Sequence, residues 1–317
     1  MTSRLAPATP RPRFRWALGL LSFIALDVTN AQARPRTVAA ADSAFLAGNV
    51  ALAESLYYVG ARERPRDPMV REALGRFLAA QGKAKVAVVL LEEARMFGGD
   101  PSRIATQLAP LYHYLGDWRA LLTLPGSPLT LAERKRAAWL GEHPFGSVSD
   151  GGTVTLIGAP NGDTIARVAI RIGGRTAVAS ILGTDIGVVV GTRVAGLQAR
   201  HFEGDSTFIV LDAVAIGSLK LVNVPATIGV APGAVTVGAA AFNRLIPTVD
   251  YARNRLAFTR VDAGAAESRH MLIRRAGELR VLDRGRWISL GDFAATVAKA
   301  RKSMAIDVRA GEVRVRP

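Results

Sequence analysis

Cysteine is absent from the 317-residue chain, which excludes disulfide bonds, thiolate metal sites, a cysteine nucleophile and a lipid-modified N-terminal cysteine. The chain contains only four histidines, namely His113, His143, His201 and His270. None has a His-Glu-x-x-His or other acid–histidine spacing, and each is interpreted as a surface or hydrogen-bonded side chain. The chain also lacks a nucleophile elbow, a P-loop and a dinucleotide fingerprint. The sequence therefore predicts no metal site and no cofactor.

Lysine is scarce as well, because only six of the 41 basic residues are lysines; with 26 acidic residues the formal net charge is +15. The arginines lie scattered through the chain, and aromatic residues make up only 6% of it. A nucleic-acid-binding face would need basic residues clustered in a patch or stripe. We therefore expect no nucleic-acid partner. The hydrophobic content of 49% is that of a globular protein, and the length allows about two domains.

Residues 1–33 have the pattern of a secretory signal peptide. Four arginines lead into an apolar run at residues 16–26, and Ala31-Gln32-Ala33 matches the small-residue pattern at a cleavage site. The apolar run is shorter than the about 20 residues that cross a bilayer, so no membrane segment is expected after cleavage. The sequence predicts export to the periplasm or the exterior, and an uncleaved N-terminal anchor is the alternative.

Helical periodicity with an internal repeat extends over residues 37–125. Gly48, Gly82 and Gly116 are spaced 34 residues apart, which is the period of tetratricopeptide repeats. Each glycine lies between two apolar-periodic segments, where a helix-turn-helix unit needs its turn. Asp-Pro pairs at 67–68 and 100–101 supply an N-cap followed by proline at the first helical position. We predict three tetratricopeptide-like repeats that form an α-solenoid.

The first helices of such repeats line a concave face. The resemblance implies six groove-facing positions: Glu72, Arg76, Arg103, Thr106, His113 and Tyr114. Two interpretations follow equally well from the stacking of repeats. Either the groove binds a peptide or protein ligand, or these residues are a solvated surface and the repeats brace the domain that follows.

Alternating periodicity replaces helical periodicity after a connector at residues 126–150. Apolar alternation and turn glycines predict an all-β domain at residues 151–262. Residues 263–317, with twelve basic and six acidic residues, are predicted to be a small α+β appendage. The predicted fold class is therefore multidomain: a helical solenoid, an all-β domain and an α+β tail.

Four landmarks follow one another along the β domain. They are a glycine turn and strand leading into residues 182–187, an Asn-Val-Pro strand at 223–225, a Val-Thr-Val-Gly turn with a short helix at 235–245, and an Asp-Tyr hairpin at 246–258. In this order they resemble the single-lobe, retropepsin-like aspartyl protease family. The resemblance implies an acid-protease lobe that supplies one catalytic carboxylate, so two chains must pair to complete a site.

The sequence departs from this family at the catalytic Asp-Thr-Gly. Alignment from the flanking strands places the aspartate position on Leu182, or on Gly183 after a slip of one residue. Thr184 follows, and the nearest carboxylate, Asp185, lies in an Asp-Ile-Gly sequence without the bracing hydroxyl. We therefore predict an exported, catalytically inactive protein that acts in peptide or protein binding or as a scaffold. The alternative is an active dimeric aspartic endopeptidase that uses Asp185.

A homodimer through the β lobe is expected, because a lone lobe leaves its terminal strands as unpaired edges. Natural proteins pair or cover such edges. The competing expectation is a monomer in which the repeats or the basic tail cover the edge.

Overall fold

A computed structural model describes the chain over residues 35–184, 187–195, 199–229, 231–242, 244–261, 264–275 and 277–317. The predicted signal peptide at 1–33 lies outside the described residues. So does Asp185, the catalytic residue of the endopeptidase alternative. Among the helices of these ranges, none combines the length and the hydropathy needed to span a bilayer.

Helices form the first part of the described chain. They are α1 (Arg36–Leu46), α2 (Val50–Glu63), α3 (Pro68–Ala80), α4 (Ala84–Met96), α5 (Pro101–Leu115), α6 (Trp118–Thr123) and α7 (Leu131–Glu142). α1 packs against α2, α3 against α4, and α4 against α5, around one buried apolar cluster.

The two Asp-Pro pairs begin helices, as the sequence predicted. The Asp67 carboxylate accepts hydrogen bonds from the Met69 and Val70 N–H groups at the start of α3. The Asp100 carboxylate accepts from the Arg103 N–H at the start of α5. These side chains satisfy N–H groups that have no partner within the helix.

The three equally spaced glycines Gly48, Gly82 and Gly116 lie in turns between helices. Their φ angles are +81° at Gly48, +79° at Gly82 and +71° at Gly116, in the left-handed region that favours glycine. Two of them also approach the C-terminal part of the chain. A Cβ at Gly48 would lie 3.0 Å from the Gly285 carbonyl oxygen, and one at Gly82 would lie 2.5 Å from that of Val308. Turn geometry and close backbone approach thus both favour glycine at these positions.

The described residues after α7 form mainly strands. The strands are β1 (Gly146–Ser147), β2 (Gly151–Thr155), β3 (Thr164–Ile172), β4 (Arg175–Leu182), β5 (Val188–Gly191), β6 (Ala199–Phe202), β7 (Asp205–Ile216), β8 (Leu219–Gly229), β9 (Val235–Gly238), β10 (Ile246–Asp250), β11 (Arg255–Thr259), β12 (Ser268–Arg275), β13 (Glu278–Asp283), β14 (Arg286–Ser289), β15 (Ser303–Asp307) and β16 (Glu312–Arg316). The helices among them are α8 (Thr192–Ala195) and α9 (Leu290–Lys299), with a 3-10 turn at Ala239–Phe242. The predicted order, a helical part followed by a largely β part, is confirmed.

Six strands close into a barrel. Hydrogen-bonded neighbours run in the order β8, β5, β9, β4, β3 and β7, and β7 pairs again with β8. β1 joins β8 and β6 joins β7 outside this ring. Side chains such as Ile170, Ile181, Val190 and Ile209 are fully buried and belong to one apolar core. Closure pairs the strands all round the ring, as barrels generally do.

A second, eight-stranded sheet combines strands from the predicted β domain with strands from the predicted tail. Its order is β14-β13-β12-β16-β15-β10-β11-β2. Residues 248–250 of β10 pair with residues 303–305 of β15, and β11 pairs with β2. Residues 263–317, expected to be a separate appendage, therefore continue the sheet that β10, β11 and β2 begin.

The helical part packs directly against this second sheet. The Trp287 indole N–H on β14 donates to the Phe45 carbonyl oxygen of α1 at 3.2 Å. The two rings also meet edge-on, with centroids 5.9 Å apart. Ile273 of β12 and Val210 of β7 are buried in the same apolar cluster as the helix residues. The helices and strands thus share a continuous core.

Candidate functional site

The loop after β4 is the first candidate site, because the family resemblance assigns the catalytic aspartate to it. In the barrel, β9 lies between β4 and β5, parallel to β4 and antiparallel to β5. The chain therefore crosses the end of β9 as it passes from β4 to β5. Leu182 pairs with Gly238 at that end, and the Gly238 N–H donates to the Gly187 carbonyl oxygen at 3.1 Å.

Backbone hydrogen bonds hold this loop on two further sides. The Gly183 N–H donates to the Asp163 carbonyl oxygen at 2.8 Å. The Gly183 carbonyl oxygen accepts from the Leu279 N–H at 3.2 Å, and Thr184 forms a β-bridge with Glu278. Leu279 and Glu278 belong to β13, so the C-terminal sheet is bonded to the loop.

The first residues of α9 cover Gly183, which is buried. A Cβ at this position would lie 2.9 Å from the Gly291 backbone nitrogen and 3.1 Å from the Leu290 Cβ. An aspartate at 183 would therefore require α9 to move. Leu182 and Gly183 have no ionisable side chain, so neither position can hold the shared proton of an aspartic protease.

Asp250, the last residue of β10, is a buried carboxylate of the β part, and its partner lies in the turn that follows. Its carboxylate accepts from the Arg253 N–H and from the Arg253 guanidinium, both at 2.9 Å. Burial alone would raise the pKa of Asp250, but the hydrogen bonds from Arg253 and the charges of Arg253 and Arg255 outweigh it and hold the pKa below its usual range. The Asp250 carboxylate is therefore ionised and paired with Arg253. This arrangement stabilises the turn and does not favour proton transfer.

The predicted peptide groove on the helices is partly closed by its own side chains. Glu72 is only 6% exposed, and its carboxylate accepts from the Arg103 guanidinium at 2.8 Å and from the Gln107 amide at 2.6 Å. These bonds join α3 to α5. The Thr106 hydroxyl donates to the Ser102 carbonyl oxygen within α5. Arg103 and Thr106 are the two predicted groove residues that remain exposed.

Two other predicted groove residues lie where the helices meet the β part or close to that contact. The Arg274 guanidinium of β12 stacks over the Tyr114 ring, 4.1 Å from its centroid. Arg76 is half-buried on α3, the helix that packs against β12. Strand β12 therefore occupies part of the face on which a peptide was expected to bind.

His113, the last predicted groove residue, is half-buried in the helical part. Its ring meets the Trp118 ring edge-on, with centroids 5.0 Å apart. Burial, with a smaller contribution from the nearby Arg136 charge, lowers the pKa of His113 to about 4. The ring is therefore neutral at neutral pH and does not act as a cationic ligand contact.

Exposed apolar side chains concentrate on α2 and α4. We define the α2–α4 surface by its five large exposed apolar residues: Leu52, Tyr58, Val86, Val89 and Met96. An open depression of about 550 Å³ adjoins Tyr58 on α2. Exposed apolar side chains that lie together on a surface often mark an interaction site.

Sequence reasoning missed one group of side chains. The Ser268 hydroxyl lies 3.0 Å from His270 Nε2, and His270 Nδ1 lies 3.6 Å from the Asp283 carboxylate. A Ser-x-His pair on a strand places both side chains on one face, which the sequence could have suggested. The addition of Asp283 depends on the pairing of β12 with β13, which no local pattern reveals.

Potential metal ligands do not gather elsewhere: within the described ranges, no three His, Asp or Glu side chains cluster in a way that could hold an ion. No family model matches this chain, and no curated protein and no solved structure shows significant similarity to it.

Proposed function

We propose that this chain is an exported scaffold or binding protein with an aspartyl-protease-like β part that has lost proteolysis. The observation that carries the proposal is the state of the loop at residues 182–184. The loop has no carboxylate at the two aligned positions, and β13 and α9 pack onto it. Aspartic proteolysis needs two carboxylates that share a proton beside a bound peptide.

The resemblance to retropepsin-like proteases is part of this proposal. It implied a glycine turn and a short helix behind the catalytic loop. Gly238 pairs with Leu182 directly behind the loop, and the 3-10 turn Ala239–Phe242 follows it. This arrangement, together with the closed six-stranded barrel, supports the resemblance.

In this proposal the tetratricopeptide-like repeats act mainly as a brace. Three contacts between the helices and the C-terminal sheet support bracing: Phe45 with Trp287, Tyr114 with Arg274, and the close approach of Gly82 to Val308. With the concave face partly filled, the α2–α4 surface offers five exposed apolar side chains for a protein ligand. Solvent exposure of that surface is the property that supports binding there.

Self-association through the β part stays a prediction. It depended on unpaired terminal strands, whereas β10 pairs with β15 and β11 pairs with β2 within one chain. These pairings support the competing expectation, a monomer in which the tail covers the strand edge. Light scattering on the full mature chain separates the two states.

A proteolysis assay at acidic pH tests the loss of activity. The full mature chain is incubated with an unfolded protein substrate, with and without a pepstatin-type inhibitor, beside an Asp185→Asn variant. We expect the same background cleavage in all three samples. Cleavage that the inhibitor blocks and Asp185→Asn abolishes would instead establish the dimeric endopeptidase.

A further inference from the structure

Three polar side chains at the start of β12 and the end of β13 lie in a row, with the hydroxyl at hydrogen-bond distance from the imidazole and the carboxylate at ion-pair distance from it. Ser268 Oγ lies 3.0 Å from His270 Nε2. The opposite ring nitrogen, Nδ1, lies 3.6 Å from Asp283 Oδ1. The two ring nitrogens therefore face two different partners, as in a nucleophile–base–acid series.

Strand geometry explains why these side chains meet. Ser268 and His270 are two residues apart on β12, so their side chains share one face of the sheet. β12 and β13 are antiparallel, with Leu272 opposite Val281. Continuing this register by two residues places His270 opposite Asp283 on the same face.

The imidazole ring is supported from the side by α9. The Phe293 ring meets the His270 ring at 4.7 Å between centroids, with an interplanar angle of 60°. The His270 side chain is 18% exposed and that of Asp283 is 30% exposed. The ring is thus held in place by packing, and Ser268 beside it is partly exposed.

We propose that Ser268, His270 and Asp283 form a hydrolytic site for small uncharged acyl esters, separate from the loop at residues 182–184. Ser268 is the nucleophile, His270 is the general base and acid, and Asp283 orients the ring and stabilises its protonated form. Phe293 is buried against the imidazole and holds the ring in place, whereas the Asp283 carboxylate disfavours a negatively charged ester.

Hydrolysis of the ester at this site needs no reactant other than water. Ser268 Oγ forms a bond to the ester carbonyl carbon while its proton passes to His270 Nε2. The carbon–oxygen bond to the alcohol then breaks, and His270 returns the proton to the departing oxygen. Water attacks the acyl-serine with His270 again as base, which releases the carboxylic acid and restores the Ser268 hydroxyl.

The tautomer with hydrogen on Nδ1 suits this role. It directs that hydrogen toward Asp283 and leaves Nε2 free to accept the hydrogen of the Ser268 hydroxyl. Replacement of Asp283 by asparagine removes the negative charge that favours this tautomer and the imidazolium. The substitution should therefore lower the rate without removing the nucleophile.

Two probes test the proposal on the full mature chain: hydrolysis of p-nitrophenyl acetate and covalent labelling by a fluorophosphonate, located by peptide mass spectrometry. We expect one adduct, on Ser268. Ser268→Ala should abolish labelling, and His270→Gln should slow both reactions by about 10²–10⁴-fold, the usual contribution of a positioned acid–base group. Asp283→Asn should slow both reactions by a smaller factor.

Matched controls come from exposed residues outside the site. Ser102→Ala and His201→Gln should leave both reactions unchanged, and circular dichroism checks that each variant is folded. Absence of an adduct on Ser268 at excess probe overturns the proposal. So does a labelling rate that is the same in folded His270→Gln as in the unaltered chain, because Ser268 would then be an ordinary surface hydroxyl.

Discussion

Replacement of Gly183 by alanine measures how tightly α9 covers the loop after β4. The new Cβ would lie 2.9 Å from the Gly291 backbone nitrogen and 3.1 Å from the Leu290 Cβ. Gly291 is itself packed closely against Gly162, since a Cβ at 291 would lie 2.5 Å from the Gly162 carbonyl oxygen. The strain must therefore be taken up by backbone atoms rather than by a flexible side chain.

The expected cost follows from these contacts. An extra methyl group in a packed site typically destabilises a protein by about 1–3 kcal/mol. If the loop moves instead of α9, Gly183 loses its hydrogen bonds to Asp163 and Leu279, each with a net contribution of about 1 kcal/mol. Both routes predict a loss of about 1–3 kcal/mol. Gly183→Asp adds a buried charge to the same clash, so it should destabilise the protein rather than create a protease.

Gly187→Ala is the matched control on the same loop. No atom of the described residues lies within 4 Å of a Cβ built at Gly187. Its free energy of unfolding should change by less than about 0.5 kcal/mol. Urea unfolding followed by tryptophan fluorescence compares the two variants. Equal stability of Gly183→Ala and Gly187→Ala would refute the close packing of α9 on the loop.

Three further predictions concern other parts of the chain. Because burial holds the pKa of His113 at about 4, below its ordinary value of 6.5, the unfolded state gains its proton first as pH falls. Stability should therefore fall by up to about 3 kcal/mol between pH 6.5 and 4, and His113→Gln should flatten that part of a urea-unfolding series. Glu72→Gln should lower the free energy of unfolding by about 1–3 kcal/mol, because Arg103 loses a charged acceptor. The exposed Glu63→Gln is the control in thermal or urea unfolding, and equal effects of the two substitutions would contradict the prediction. N-terminal sequencing of exported protein should begin one residue after Ala33, whereas an intact N-terminus would argue against the signal peptide.

Only part of the loop at residues 182–184 and of the Ser268 site could be predicted from the sequence. The aligned positions Leu182 and Gly183 carry no carboxylate, which is visible in the sequence alone. The covering of Gly183 by α9 is not visible there, because Gly291 is more than a hundred residues away along the chain. In the same way Ser268 and His270 are neighbours on one strand, but Asp283 joins them only through strand pairing.

The groove residues illustrate a second limit. Repeat spacing predicted which helices carry Glu72 and Tyr114, but it did not reveal what packs against them. Glu72 is buried because Arg103 and Gln107 on α5 satisfy its carboxylate. Tyr114 is partly covered because the Arg274 guanidinium of β12 stacks over its ring. Burial of a polar side chain depends on its partners, and those partners are distant in sequence.

The sequence by itself determined the local structure: helices first, strands afterwards, helix starts at the Asp-Pro pairs and turns at the repeat glycines. These features depend on neighbouring residues, through periodicity, capping and backbone conformation. Tertiary structure alone decided that β15 extends β10 and that α9 and β13 pack on the loop after β4. Such pairings join segments more than fifty residues apart, as Thr248 and Ala305 show. Their stability comes from long-range hydrogen bonds and shared burial, which leave no periodic trace in either segment.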